Sequence, residues 1–182
     1  MIFSKPLYYI TKVSDHHIGK EKILSTISKI DGRYDDGISK ISNTDWLNQQ
    51  NGVVFDWYTY SLSERDRESY VKLIHKKFGK SKSSIMTIWF NQYDSNSGTE
   101  HTMHSHYDEH AHRNDLTNIY YVELKDKSLR TILKHPKTGK EIVPRVKEGQ
   151  ILTFDARIKH KSPPNHTDTR KTIIAFNTLF LE

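Results

Sequence analysis

The polar and apolar positions change period near residue 80. Before it, the clearest pattern is helical. In SLSERDRESYVKLIHKKFG, Tyr70, Val71, Ile74 and Phe78 fall on one face at 3.6-residue spacing. Ser61 and Glu64 have capping-box spacing and Gly79 supplies a stop, so the pattern predicts a helix over 63–78 with one face packed on something larger. GKEKILSTISKIDG reads as a short helix or a strand and loop, and TDWLNQQNGVVFDWY is aromatic without a readable period. From about residue 84 the pattern turns strand-like. SIMTIWFNQY, HTMHSHYD, LTNIYYVEL, GQILTFD and RKTIIAFNTLFL are short, β-branched or aromatic runs divided by turn signals. LRTILKHPKTGKEIVPRVK reads as a hairpin around Pro136–Gly139. Some seven strands in about 100 residues predict a β-sandwich or jelly roll. The expected class is α+β, mainly β. One domain spans 1–182, with a mixed α/β extension over 1–80 and a β core over 84–182.

Composition narrows this picture. Of 182 residues, 35% are hydrophobic and 11% aromatic, which suits a folded chain with a polar surface rather than a disordered one. With no cysteine, disulfides and Cys-ligated zinc are excluded. No apolar run reaches the roughly 20 residues of a membrane helix, and the start of the chain lacks a signal-peptide apolar stretch. A soluble protein of the cytoplasm, or of a phage-infected bacterial host, is expected. The net charge is +6, with 13 Lys and Arg against 10 Asp and Glu over 1–80, and 15 against 12 over 81–182. There is no basic block of five, so a mixed-charge surface is favoured over a dedicated nucleic-acid-binding stretch.

The chemistry concentrates in GTEHTMHSHYDEHAH, residues 98–112, which holds five of the 11 histidines: His101, His104, His106, His110 and His112. If 103–108 is extended, His104, His106 and Asp108 face one side, and two imidazoles at i and i+2 make half of a metal site. His160, just past the strand GQILTFD, has the best context for the third ligand. Two registers stay open: His104, His106 and His160, or His106, Asp108 and His160. His101, His110 and His112 read as rim residues, and Trp89 and Phe90 as core.

These spacings resemble the two cupin motifs. Five residues separate Gly98 from His104-x-His106, and five separate Gly149 from Asp155, with His160 beyond. His110 stands where the cupin Glu belongs, and Arg157 replaces the second motif's Gly. Arg170, ten residues after His160, opens RKTIIAFN. The layout resembles 2-oxoglutarate/Fe(II)-dependent oxygenases, with a double-stranded β-helix fold. The run IWFNQY, HTMHSH, LTNIYYVEL, VKEGQILTFDARIKHKSPPN and RKTIIAFN is similar to the oxygenases of marine and T4-like bacteriophages over about 87–178, half the chain. Asp155 departs from that family's usual proline.

The resemblance implies an oxidoreductase using Fe(II), 2-oxoglutarate and O2, and releasing succinate and CO2. A three-histidine site also suits Zn or Ni. Arg170, with Thr172 on the same strand face, would hold the far carboxylate of 2-oxoglutarate, and Tyr120 and Asn118 would line the cofactor slot. The primary substrate, whether a protein side chain, a nucleobase or a small metabolite, is not legible. Two rival readings remain: a cupin-type metal enzyme without 2-oxoglutarate, in which Arg170 has no required role, and a non-enzymatic jelly-roll module of a phage.

Overall fold

The computed structural model describes residues 6–30, 33–34, 42–44, 62–107 and 114–181. Asp108, His110, His112 and Ser61, and with Asp108 the alternative ligand register, lie outside the described residues. So do residues 45–61, which hold the unassigned aromatic stretch.

Two antiparallel sheets face each other, which is the double-stranded β-helix arrangement. The larger has seven strands in the order β1 (Tyr8–Lys12), β9 (Gln150–Asp155), β6 (Leu116–Leu124), β11 (Lys171–Phe180), β4 (Ser83–Tyr93), β3 (Ser42–Thr44), β2 (Arg33–Tyr34). The smaller has four: β5 (His101–His104), β10 (His160–Ser162), β7 (Ile132–Lys134) and β8 (Glu141–Ile142). The predicted hairpin is the β7–β8 pair, in which Leu133 pairs with Ile142. The N-terminal segment does more than pack on the barrel, because β1 forms a sheet edge against β9, from Tyr8↔Phe154 to Lys12↔Gln150.

Successive residues of a strand point to opposite faces, so the large sheet feeds two cores. Phe90, Tyr120, Val122, Ile151, Ile174 and Phe176 pack under the helices α1 (His16–Ile27) and α2 (Glu64–Phe78). Their neighbours Ile119, Tyr121, Leu152, Phe154 and Ile173 fill the space between the sheets. α2 begins two residues later than the expected capping box. Ser63 is its N-cap, accepting from the backbone N–H of Asp66, and Gly79 ends it in the left-handed conformation at φ 65°. Tyr70 and Ile74 are its buried anchors, each contributing roughly 1.5–3 kcal/mol by burial. Asp66 also ties the two helices, accepting from the N–H groups of Ser14 (2.8 Å) and Asp15 (2.9 Å) just ahead of α1. That contact supplies acceptors where α1 has none of its own.

Candidate metal centre

β5 and β10 pair with His104 opposite His160, which brings two histidines distant in sequence to one level of the small sheet. β5 ends at His104, yet His106 stays in register. Its N–H donates to the Ala156 carbonyl (3.1 Å), and its own carbonyl accepts from Asn114 Nδ2 (2.8 Å). The result is a cluster in which one ring nitrogen each of His104, His106 and His160 lies within 4.8 Å of the others. His104 Nε2 and His106 Nε2 are 3.1 Å apart.

The rings are oriented from behind. His104 Nδ1 donates to the Thr102 carbonyl (2.7 Å) and His160 Nδ1 to the Ile158 carbonyl (3.2 Å). That tautomer leaves each Nε2 as a lone pair aimed at the cluster, the usual way a backbone carbonyl orients a metal-binding imidazole. His106 stacks on Trp89, with ring centroids 5.2 Å apart and planes 20° apart, and the Asn177 amide lies 3.5 Å from its Nδ1. Trp89, read as core, is therefore a wall of this site, whereas Phe90 is core as expected. Burial, reinforced by the neighbouring histidines, pushes His106 down to about 3 and His160 well below the ordinary imidazole range. Both rings are neutral at physiological pH, the state that binds a divalent cation. Three imidazole nitrogens converging on one point fit such an ion. His101 lies beside them, its ring 4.8 Å from that of His104.

The cluster opens into a cavity of about 480 Å³ between the sheets. Its axis follows the β4–β11 register, Tyr93↔Lys171, Trp89↔Ala175 and Thr87↔Asn177. At the Tyr93 end lies Lys171, 1% exposed. Its Nζ donates to Ser162 Oγ (2.7 Å) and sits 4.8 Å from the centre of the Tyr93 ring and 5.9 Å from that of Tyr121. Ser162 lies two residues beyond His160 on β10, and both side chains are buried. Among the described residues Lys171 has no carboxylate partner, and burial pulls its ammonium down to about 7. A buried amine with one hydroxyl partner among hydrophobic rings is costly to keep charged, so it is a strong point of attraction for an anion.

The cofactor-slot residues named from the sequence lie elsewhere. Arg170 projects to the other side of β11, where Nε and Nη2 grip Glu123 (2.9 and 3.2 Å), and it is partly exposed in a groove with Asp94 and Asp168. Thr172 shares that face, as expected. Its Oγ1 donates to Glu123 (2.5 Å) and accepts from Gln92 (3.1 Å). Asn118 and Tyr120 point under the helices. Asn118 Oδ1 accepts from Tyr70 (2.7 Å) and Thr153 (2.9 Å), and the Tyr120 hydroxyl meets His16 Nδ1 at 2.7 Å. Behind His16 only glycine fits at 149, where a Cβ would come within 3.0 Å of the ring and φ is +76°. The reason is strand parity. Arg170, Thr172, Asn118 and Tyr120 occupy the face opposite Lys171, Ile173, Thr117 and Ile119. Lys171, which the sequence reading did not name, is the one of the two adjacent cations that is buried between the sheets. Its signal was present, since it is the other cation of the Arg170-Lys171 pair.

No protein-family model matches the chain, and no curated protein matches it in sequence. Solved structures do match its fold. The viral collagen prolyl hydroxylase of Paramecium bursaria Chlorella virus-1, in its 2-oxoglutarate complex, covers 98% of each chain at 15% identity and TM-score 0.64. A prolyl hydroxylase of Trichoplax adhaerens, bound to a peptide of hypoxia-inducible factor, covers 94% of this chain and 83% of its own at 14% identity and TM-score 0.64. A Burkholderia pseudomallei oxidoreductase of the 2OG-Fe(II) oxygenase family covers 94% and 84% at 9% identity and TM-score 0.62. This chain shares with them the mainly β, antiparallel double-stranded β-helix with helices packed on the larger sheet.

Proposed function

We propose that this protein is a non-heme Fe(II)- and 2-oxoglutarate-dependent oxygenase, folded as one domain over 1–182 and of the type carried by marine and T4-like phages. The observation that carries this reading is a cavity lined by three histidines and by Ser162, with Lys171 buried directly behind Ser162. Imidazoles of His104, His106 and His160 converge there, and the buried Lys171, with no carboxylate partner among the described residues, stands on β11 of the facing sheet. The motif order along the second half of the chain, and the fold shared with proteins of this chemistry, support it.

When bound, the iron and 2-oxoglutarate supply oxidation of a C–H bond with loss of CO2. The chain's own residues have three tasks. His104, His106 and His160 would hold the ion. Lys171 and Ser162 receive the far carboxylate, the role that the sequence placed on Arg170 and Thr172. Charge balance favours this placement. A divalent ion on three neutral ligands, with a protonated Lys171 nearby, leaves the cavity strongly positive, and a dicarboxylate offsets most of that. Trp89 and Tyr93 exclude water along the cavity wall.

The direct test is aerobic incubation of the protein with Fe(II) and 2-oxoglutarate, reading succinate by mass spectrometry. Succinate formation that is lost in His160→Ala is the expected result. No succinate together with no anaerobic 2-oxoglutarate binding would sink the reading in favour of a metal-binding jelly roll of another kind.

A further inference from the structure

The chain's excess positive charge has a location. Residues 125–161 hold 11 Lys and Arg against 4 Asp and Glu, and the rest of the chain holds 17 against 18. The halves of the sequence look balanced only because the division near residue 80 leaves this segment diluted. It comprises β7, β8 and the start of β10, which are three of the four strands of the small sheet that carries His160, together with β9 of the large sheet and their connections. Nine of the eleven cations are exposed. Lys134, Lys137, Lys140, Arg145, Lys147 and Lys159 make no ion pair with any described residue, although Lys161 is paired with Glu141 and Arg157 with Asp155. Lys134 and Lys159 lie on neighbouring segments, joined by a backbone hydrogen bond of 2.8 Å. Lys161, the residue after the metal-centre histidine, also lines the cavity. The patch therefore runs to the cavity wall.

The cavity away from Lys171 has a different character. Beyond Trp89 the lining is neutral and hydrogen-bonding, with Thr87, Asn114, Thr117 and Asn177, and with Tyr107 and the half-exposed Met86 at the rim. Among the described residues no acidic side chain lines it. A cationic surface outside and a neutral pocket of amides, hydroxyls and an aromatic wall inside match a chain of phosphates bearing flat, hydrogen-bonding groups. An acidic protein would use the surface but leave the pocket without purpose. A membrane would need apolar side chains among the cations, and only Val143 is a large exposed hydrophobic there.

We propose that the basic face of the small sheet docks single-stranded nucleic acid and delivers a base to the metal cavity, which makes a nucleobase or nucleoside the substrate class. The base-delivery half rests on the oxygenase reading, whereas the docking half does not.

The test uses the full chain and a fluorescent, roughly 15-nucleotide single strand, as DNA and as RNA, with anisotropy read at several salt concentrations. Log affinity is expected to fall linearly with log salt. The triple variant Lys134→Glu, Lys137→Glu, Lys140→Glu should lose roughly 100-fold in affinity near 0.1 M salt and about 2 in slope, from three lost contacts of about 0.7 each. Lys76→Glu, Lys80→Glu, Lys82→Glu changes net charge equally at the far end of α2 and in the turn that follows it. It should lose less than about threefold, because screening limits exposed charges to their own surroundings. Circular dichroism confirms that both triples are folded. Equal losses in the two triples, equal binding of poly-glutamate or of anionic vesicles, or no anisotropy change at low salt would each overturn the proposal. Succinate formation, measured in parallel, separates the two ideas. Binding without turnover keeps the docking surface and removes the oxygenase, and turnover without binding does the reverse.

Discussion

The two faces of the large sheet are made by the same strands and do opposite things with polar side chains. On the helix face, polar groups are matched. Asn118 accepts from Tyr70 and Thr153 while its Nδ2 donates to the Phe176 carbonyl (3.1 Å) and to Thr178 (3.0 Å). Tyr120 meets His16, and Glu123 takes Arg170 and Thr172. On the cavity face, polar groups are held but not used up. His104 and His160 have one nitrogen fixed and the other aimed inward, and Lys171 has one hydroxyl for a cation. A buried polar group with all its partners is architecture, because its bonds offset its desolvation. One with spare capacity in a cavity is built for something that arrives later.

Substitutions can break this contrast in order of effect. The largest belongs to the metal centre. His160→Ala should weaken binding of Fe(II), or of Co(II) as its air-stable substitute, by well over the roughly 100-fold seen for an outer-shell partner, with little change in circular dichroism. Calorimetric titration under anaerobic conditions reads it. Retained affinity would move the ligand set to another register.

Next comes Lys171→Met, which keeps the volume and removes the charge. Anaerobic 2-oxoglutarate affinity should fall by about 2–5 kcal/mol, some 30- to several-thousand-fold, while stability at neutral pH holds or rises. An unchanged dissociation constant would return the carboxylate to another residue.

The same amine predicts a pH dependence. Lys171 titrates near 7 in the folded, ligand-free protein and near 10.4 when unfolded. Between those values the unfolded state holds the extra proton, so stability rises with pH through the window, and below about 7 the rise is absent. Binding a carboxylate needs the protonated form. 2-Oxoglutarate affinity should therefore drop above pH 7, by at most about tenfold per unit. Urea melts and titrations across pH check both trends, and Lys171→Met should flatten them.

The helix face behaves differently. Asn118→Ala leaves the buried Thr153 hydroxyl short of its acceptor and should cost about 1–3 kcal/mol in urea unfolding. In the fraction that remains folded, 2-oxoglutarate affinity should not move. The smallest effect is expected from Arg170→Ala. Its pair with Glu123 is partly exposed and worth under about 1 kcal/mol, and cofactor affinity should be unchanged. A large loss of 2-oxoglutarate binding there would reverse the assignment of the two adjacent cations.

The sequence by itself determined most of the strands and α2, and it named His106 and His160 in both of its ligand registers. Strand and helix periods are local, so β6, β9 and the β7–β8 hairpin could be read from their own residues. His104-x-His106 and a histidine just past β9 carried their meaning in spacing along extended chain. The clustering of cations over 125–161 was equally legible, although halves of the chain concealed it. Tertiary structure alone decided which side of each strand faces the cavity. Between His160 and β11 the chain passes through Pro163, Pro164 and an Asn165-centred turn, where the period of two is lost and must restart. A one-residue difference there exchanges Arg170 for Lys171, and with it every neighbour on β11 and β6. Only the pairing of β11 between β4 and β6 sets that phase, because no local rule counts residues across a turn. The same holds for the basic face. The charges are written in the sequence, but only the pairing of β7, β8 and β10 in the small sheet sets them beside the metal centre.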